Sequence, residues 1–289
     1  MTRTLIVNAD DYGLTTAVSE GILRAHRQGV LTSTSVLALA PGFASSVGRL
    51  RDVADLGVGA HLAVVGEDPP LLSAREIPTL VNARGYLPAS WRQLLPRVAA
   101  HRVDLHDIER EWSAQLDAIA AAGIRVDHLD SHQHVHMFPG VCDVALRLAV
   151  RRGIGAVRVA RSASRGPVGR VTSRLASRLA SRATALGIAF PDDAAGLDEA
   201  GRLDESAVLD ALERLAKGDG EVVELSGHPG ERTDDDRHRY AWDYRWGDEL
   251  EALCAPAVRA AVERHGFRLG TYRDLVARNA APGGSAARP

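Results

Sequence analysis

Again and again along this chain a short apolar run stops at residues that carry a carboxylate or an imidazole. The run Thr4 to Ala9 gives way to Asp10-Asp11-Tyr12-Gly13, and Gly57 to Leu62 carries His61 near its end. Arg125 to Leu129 leads into Asp130-Ser131-His132, and Glu221 to Leu225 leads to His228. Short β-branched apolar runs bounded by turn residues read as buried strands. A chain that delivers polar groups at one end of several buried strands is expected to gather them into one site.

Helical patterns separate the strands. Thr15 or Thr16 caps a helix with Val18, Ile22 and Ala25 on one face, and Gly29 reads as its left-handed stop. A strand from Leu31 to Leu39 closes at Pro41-Gly42, and a helix follows to about Ala54. After a long proline-rich stretch, Ile108, Trp112, Leu116 and Ile119 predict one buried stripe on a helix from His106 to Ala122, ended by Gly123. Further strands are expected at Ile154 to Val159 and Phe267 to Gly270, with a helix from Asp248 to His265 before the last. Strands alternating with helices imply an α/β fold, a parallel sheet covered by helices, open or closed into a barrel. Ligand sites in such folds assemble at the C-terminal strand ends.

Composition narrows the function classes. With 289 residues and 45% hydrophobic content the chain fits one large domain, read as residues 1–279 with an insertion at about 161–190. The Pro/Gly/Ala/Ser tail, 280–289, cannot bury apolar surface and is expected to be disordered. A formal net charge of −2 gives no global reason to expect nucleic acid. Cys142 and Cys254 match neither a disulfide framework nor a metal spacing, which is compatible with a reducing cytoplasm. No signal-peptide core and no transmembrane run is legible, so a cytoplasmic location is expected.

Two adjacent aspartates cannot cheaply be buried as anions unless a cation lies beside them; the alternative for Asp10-Asp11 is an ordinary capping turn. His61 alone would pass for a satisfied core histidine. The stretch from His128 to His136 changes that balance, because it holds four histidines and Asp130 in nine residues. Two imidazoles and a carboxylate make an open metal site with positions left for water and substrate. Four histidines exceed what one such site needs, so some of His128, His134 and His136 are expected to support ligands or face substrate. Asp130 is placed to fix the tautomer of a ligand imidazole.

The motifs Asn8-Ala9-Asp10-Asp11-Tyr12-Gly13-Leu14, Gly59-Ala60-His61-Leu62, His128 to Pro139 and Glu224-Leu225-Ser226-Gly227-His228-Pro229 together resemble the YdjC-like carbohydrate deacetylases, over nearly the whole chain. That family includes chitooligosaccharide deacetylases and the hopanoid-biosynthesis-associated type. The resemblance implies a (β/α)-barrel-like fold with one divalent metal ion, magnesium or zinc, held by Asp11, His61 and His132. It implies Asp10 as the base and His228 as the acid, acting on an N-acetylated sugar to release acetate. Tyr12 stands where the family usually has phenylalanine, a change that bears on a substrate contact. Elementary chemistry agrees with these roles, since a departing amine needs a proton and a carboxylate beside a metal can take one from water.

Arg170, Arg174, Arg178 and Arg182 recur at every fourth position, with Val171, Leu175 and Leu179 beside them. On a helix this makes a basic ridge along an apolar stripe, either solvated or in contact with a membrane surface or lipid-linked sugar. Thr233-Asp234-Asp235-Asp236 reads as an exposed acidic turn, and Trp242, Tyr244 and Trp246 as sugar-stacking or core residues. The alternatives to a deacetylase are a metal-dependent phosphoesterase or sugar isomerase on a barrel, or an inactive sugar-binding homologue. The oligomeric state is left open, a homodimer included.

Overall fold

The computed structural model describes residues 3–280. The expected tail lies, from residue 281 on, outside the described residues. Among the described residues eight strands, β1 (Arg3–Tyr12), β2 (Ser33–Val36), β3 (Gly57–Leu62), β4 (His128–Ser131), β5 (Ala156–Val157), β6 (Asp193–Ala195), β7 (Val222–Gly227) and β8 (Phe267–Gly270), form one parallel sheet. Its order is β5-β4-β3-β2-β1-β7-β6, with β8 also paired to β1. β7 lies along Thr4 to Ala9 of β1. On the other edge β1 is shared, β8 against Arg3 to Ile6 and β2 from Asn8 onward.

The outer edges of the sheet meet. Ala189 N–H donates to the Gly155 carbonyl (2.8 Å) and its own carbonyl accepts from Val157 N–H (2.9 Å), while Asp192 N–H donates to the Val222 carbonyl (2.8 Å). The segment leading into β6 therefore bonds to β5 at its start and to β7 at its end, drawing the sheet into a ring.

Among the described residues ten α-helices accompany this sheet: α1 (Thr16–Gln28), α2 (Phe43–Ser46), α3 (Trp91–Ala99), α4 (Leu105–Ala121), α5 (Val141–Arg152), α6 (Pro167–Ala185), α7 (Glu205–Lys217), α8 (Trp246–Cys254), α9 (Pro256–Arg264) and α10 (Tyr272–Ala280). The hydroxyl of Thr15 accepts from Val18 N–H (3.0 Å) and caps α1. α4 buries the expected stripe Ile108, Trp112, Leu116 and Ile119 and ends at left-handed Gly123. Its next face is polar yet equally buried. Glu111 accepts from the backbone N–H groups of Leu71 and Leu72, and Gln115 brackets the N–H and carbonyl of Ala63. One helix face thereby satisfies backbone groups of the irregular proline-rich stretch, which has no ladder of its own.

Three expectations need correction. Gly29 is not left-handed (φ −109°); it is required because a Cβ there would come within 2.3 Å of the Leu253 carbonyl oxygen. The helix expected over 248–265 is two, because Pro256 lacks an N–H and holds Ala255 extended. In α6 the buried side is Gly169, Ala176, Leu179 and Ala183. Val171 (52% exposed) stands in solvent with Val168 (77%), among the arginines instead of in the stripe. Of the ridge, Arg182 pairs with Asp143 on α5. Among the described residues no helix is long and apolar enough to cross a membrane.

Candidate active site

Neighbouring residues on a strand point to opposite faces, so Asp10 and Asp11 could not ordinarily serve one site. The pairing of β1 with β2 slips between Ala9 and Tyr12, and Asp11 adopts a left-handed backbone (φ +66°). This irregularity turns both carboxylates inward at the C-terminal end of the strand. Left-handed backbone in a non-glycine residue costs about 1 kcal/mol or more and is concentrated at functional sites.

Asp11, His61 from β3 and His132 just past β4 converge. The Oδ1 atom of Asp11 lies 3.4 Å from His61 Nε2 and 3.5 Å from His132 Nδ1. That oxygen is buried without a hydrogen-bond partner. His61 Nδ1 meets Asp130 Oδ1 at 3.0 Å, which keeps a proton on Nδ1, so that loss of the other proton leaves the Nε2 lone pair toward Asp11. One carboxylate oxygen and two imidazole nitrogens, all within 4.8 Å of one another, suit a divalent cation with open positions. Asp10, His61 and Asp130 form a second such group, but Arg158 occupies both of its carboxylates.

Arg158, the residue after β5, is almost wholly buried and holds three acids. Its terminal nitrogens reach Asp10 Oδ2 and Oδ1, both at 2.7 Å, and Asp130 Oδ2 at 2.6 Å. Its Nε donates to Glu224 Oε1 on β7 (2.9 Å). Burial alone would raise the Asp10 carboxyl, but the Arg158 charge, helped by His61, outweighs it and holds Asp10 well below the ordinary carboxylate range. Asp130 is lowered in the same way. Asp11 is lowered, against burial, by the His132 and His61 imidazoles. The carboxylates of Asp10, Asp11 and Asp130, all lowered, outnumber the one guanidinium among them and leave an anionic surplus that a divalent cation would balance.

His228 approaches from the far side of Asp10, its Nε2 3.9 Å from Asp10 Oδ2. Its backbone N–H donates to Glu249 of α8, whose Oε2 also lies 3.9 Å from His228 Nδ1. Burial pushes the Glu249 carboxyl up. Trp242 stacks on His132 (centroids 5.0 Å apart) and donates from Nε1 to Glu67 Oε1 (3.0 Å), while Tyr244 packs edge-on against His228 (4.8 Å). Trp246 is buried behind them. Beside His132 a small pocket is lined by Leu14, Leu37, Leu39, Val65 and Trp242 on one side and by Glu67 and Asp68 on the other. The strap carrying these aromatics is tied down by Asp234, which accepts from the Thr15 hydroxyl (2.7 Å) and pairs with Arg237, so the acidic turn is not wholly exposed as expected.

All five residues expected from sequence, Asp10, Asp11, His61, His132 and His228, are brought together. His136 is not among them: it sits between the Ser131 hydroxyl (2.7 Å) and the Arg158 carbonyl (3.0 Å), supporting the arginine. His128 stacks on Tyr272 lower in the ring. Tyr12 is buried and its hydroxyl donates to the Ser46 carbonyl (2.8 Å). Sequence reasoning missed Arg158, Glu249 and the role of Glu224. The available signal was a lone charge within an apolar strand run, in Val157-Arg158-Val159 and Val223-Glu224-Leu225.

A parallel α/β ring with a carboxylate and two imidazoles at its C-terminal end, beside an arginine-held carboxylate, is a frame for metal-assisted hydrolysis. The family described as YdjC-like protein matches residues 4–264, and the chain belongs to it. It is 30% identical over 276 residues to a carbohydrate deacetylase of Enterococcus faecalis, spanning 94% of this chain and 98% of the relative. It is 31% identical, again over 276 residues, to a chitooligosaccharide deacetylase of Salmonella typhimurium, spanning 95% and 100%. A crystal structure from Enterococcus faecalis V583, described as a cellobiose-phosphate cleavage protein, superposes with a TM-score of 0.79 at 29% identity, covering 95% of this chain and 99% of that one.

Proposed function

We propose that the protein is a metal-dependent hydrolase that removes the acetyl group from an N-acetylated amino sugar and releases acetate. The observation that carries this reading is the pairing of two unlike devices, the Asp11–His61–His132 donor set and an Asp10 held ionised by Arg158 with His228 opposite. The names of the relatives supply the substrate class.

A divalent ion held by Asp11, His61 and His132 supplies Lewis acidity toward the amide carbonyl and toward water. Asp10 Oδ1 already accepts from Arg158 and from Asn8 (2.9 Å), whereas Oδ2 accepts from Arg158 alone and faces His228. Oδ2 therefore has spare acceptor capacity and takes the proton of the attacking water. His228 donates to the departing amine nitrogen, held in place by Glu249. The apolar wall of the pocket beside His132, formed by Leu14, Leu37, Leu39 and Val65, suits the acetyl methyl group. A two-metal phosphoesterase is disfavoured, because the Arg158 guanidinium lies against the carboxylates of both Asp10 and Asp130 and its charge would repel a second cation bridging them.

The mixed oxygen and nitrogen donor set fits zinc or magnesium. Residues 1–279 act as one cytoplasmic deacetylase unit, with a homodimer as the assembly to examine by light scattering. The exposed valines and arginines of α6 give a lipid-linked substrate a peripheral surface to rest on. The deciding experiment is acetate release from N-acetylglucosamine conjugates, using metal-stripped enzyme given back zinc, magnesium, manganese or cobalt. Phosphate release from phosphosugars with no acetate from any N-acetyl sugar overturns the reading.

A further inference from the structure

We infer that Asp68 is a specificity-determining residue of this same site, its free carboxylate oxygen accepting a hydrogen bond from a ring hydroxyl of the amino sugar. The inference rests on the deacetylase reading and adds a substrate contact to it.

Past β3 the chain turns at Gly66, whose φ of +127° suits glycine alone, and the Gly66 N–H donates to the Pro88 carbonyl (3.0 Å). A Cβ at this position would lie 3.7 Å from the His132 ring, so the turn passes directly beside that metal-site imidazole. The next two residues, Glu67 and Asp68, are thereby delivered to the pocket shared with His132 and Trp242, across from its leucine wall.

The two acids are treated differently. Each accepts from an aromatic of the strap, Glu67 Oε1 from Trp242 Nε1 (3.0 Å) and Asp68 Oδ2 from the Tyr240 hydroxyl (3.0 Å). Glu67 is exposed, and water can serve its second oxygen. Asp68 is only 6% exposed; among the described residues its Oδ1 has no hydrogen-bond partner and its carboxylate no ion pair. Unlike Asp11 Oδ1, this oxygen is not sealed away from solvent, and the residue lines the pocket. Tyr240 holds the group in place, since its buried hydroxyl shares its proton with the Leu14 carbonyl (3.3 Å).

A carboxylate oxygen that has given up most of its water and gained neither a cation nor a protein donor is costly unless a ligand supplies the donor. The pocket thus has one wall that wants apolar surface and one that wants a hydrogen-bond donor. An N-acetylated amino sugar presents both, a methyl group on the acetyl arm and hydroxyls around the ring.

The test uses the zinc-loaded enzyme with N,N′-diacetylchitobiose and its monodeoxy analogues. Asp68→Asn keeps the size and loses the charged acceptor; Asp68→Ser is the second variant, and Tyr240→Phe removes only the hydroxyl that holds the acid. The readouts are kcat and KM for acetate release, bound zinc by elemental analysis, and Tm. We expect kcat/KM to fall about tenfold or more in Asp68→Asn, the size of one hydrogen bond to a charged group, with a smaller loss in Tyr240→Phe. Zinc content and Tm stay at the wild-type level. One deoxy analogue should lose a similar factor with the wild-type enzyme and nothing further with Asp68→Asn, because hydroxyl and acceptor are then both absent. Unchanged kcat/KM in both Asp68 variants overturns the inference. So does an equal further loss with every deoxy analogue, since Asp68 would then act on something other than a ring hydroxyl. Lost zinc or a lowered Tm in both Asp68 variants makes the residue structural and overturns it too. A wild-type enzyme that releases no acetate from any N-acetyl sugar fails the functional reading itself, and the inference falls with it.

Discussion

Arg158 grips Asp10 by both carboxylate oxygens, at 2.7 Å each, while the same guanidinium reaches Asp130 and Glu224. Removing it leaves three acids buried without their cation. Arg158→Met is expected to lower stability by about 3–5 kcal/mol, as when one partner of a buried ion pair is lost. Arg158→Lys keeps the charge and loses the fork, so it should fold and lose turnover. Thermal melts and acetate-release rates check both.

Asp10→Asn should retain the metal and lose roughly 10²- to 10⁴-fold in kcat, the usual contribution of a general base. Asp11→Asn and His132→Ala should lose metal and activity together. Elemental analysis beside kinetics distinguishes the two classes, and near-normal turnover in Asp10→Asn removes it as the base.

His61 should couple metal binding to proton release. Burial lowers its pKa, but the charges of Asp130 and Asp10 more than reverse this and raise it to about 9 in the metal-free protein. The folded imidazole thus binds its proton more tightly than the unfolded one. Its contribution to metal-free stability is complete below about pH 6.5 and is lost as pH rises through about 9. Between those values zinc should displace about one proton from this group. Calorimetric titration of zinc at pH 7.5 in buffers of different ionisation enthalpy measures it, and Asp130→Asn should reduce the release.

Trp242 bridges a site histidine and Glu67, closing the cleft beside His132. Trp242→Ala should raise KM for a chitin oligosaccharide roughly three- to tenfold, from about 0.5–1.5 kcal/mol of lost aromatic contact, and change kcat less. An unaltered KM would mean that the ring serves packing alone.

The frame of the fold was legible because β3 and β8 begin and end where their apolar runs do, and because α4 shows its stripe at helical spacing. The five residues gathered at the centre were legible because each lies near or just past the end of such a run. What stayed hidden depends on distance or on backbone shape. Nothing in Asn8-Ala9-Asp10-Asp11 announces a left-handed aspartate, since no glycine marks it. Glu249 looks like any acid in the first turn of a helix until folding brings it under His228. Gly29 was recognised as special for the wrong reason: the cause is the carbonyl of Leu253, more than two hundred residues away.

The central strand is also the first one made. β1 carries Asp10 and Asp11, yet two of its three partners, β7 and β8, end at Gly227 and Gly270. During synthesis the amino-terminal strand must wait, one edge wholly unpaired, until nearly all of the chain has left the ribosome. The centre therefore cannot assemble piecemeal, and truncated products would expose that edge to association with other chains.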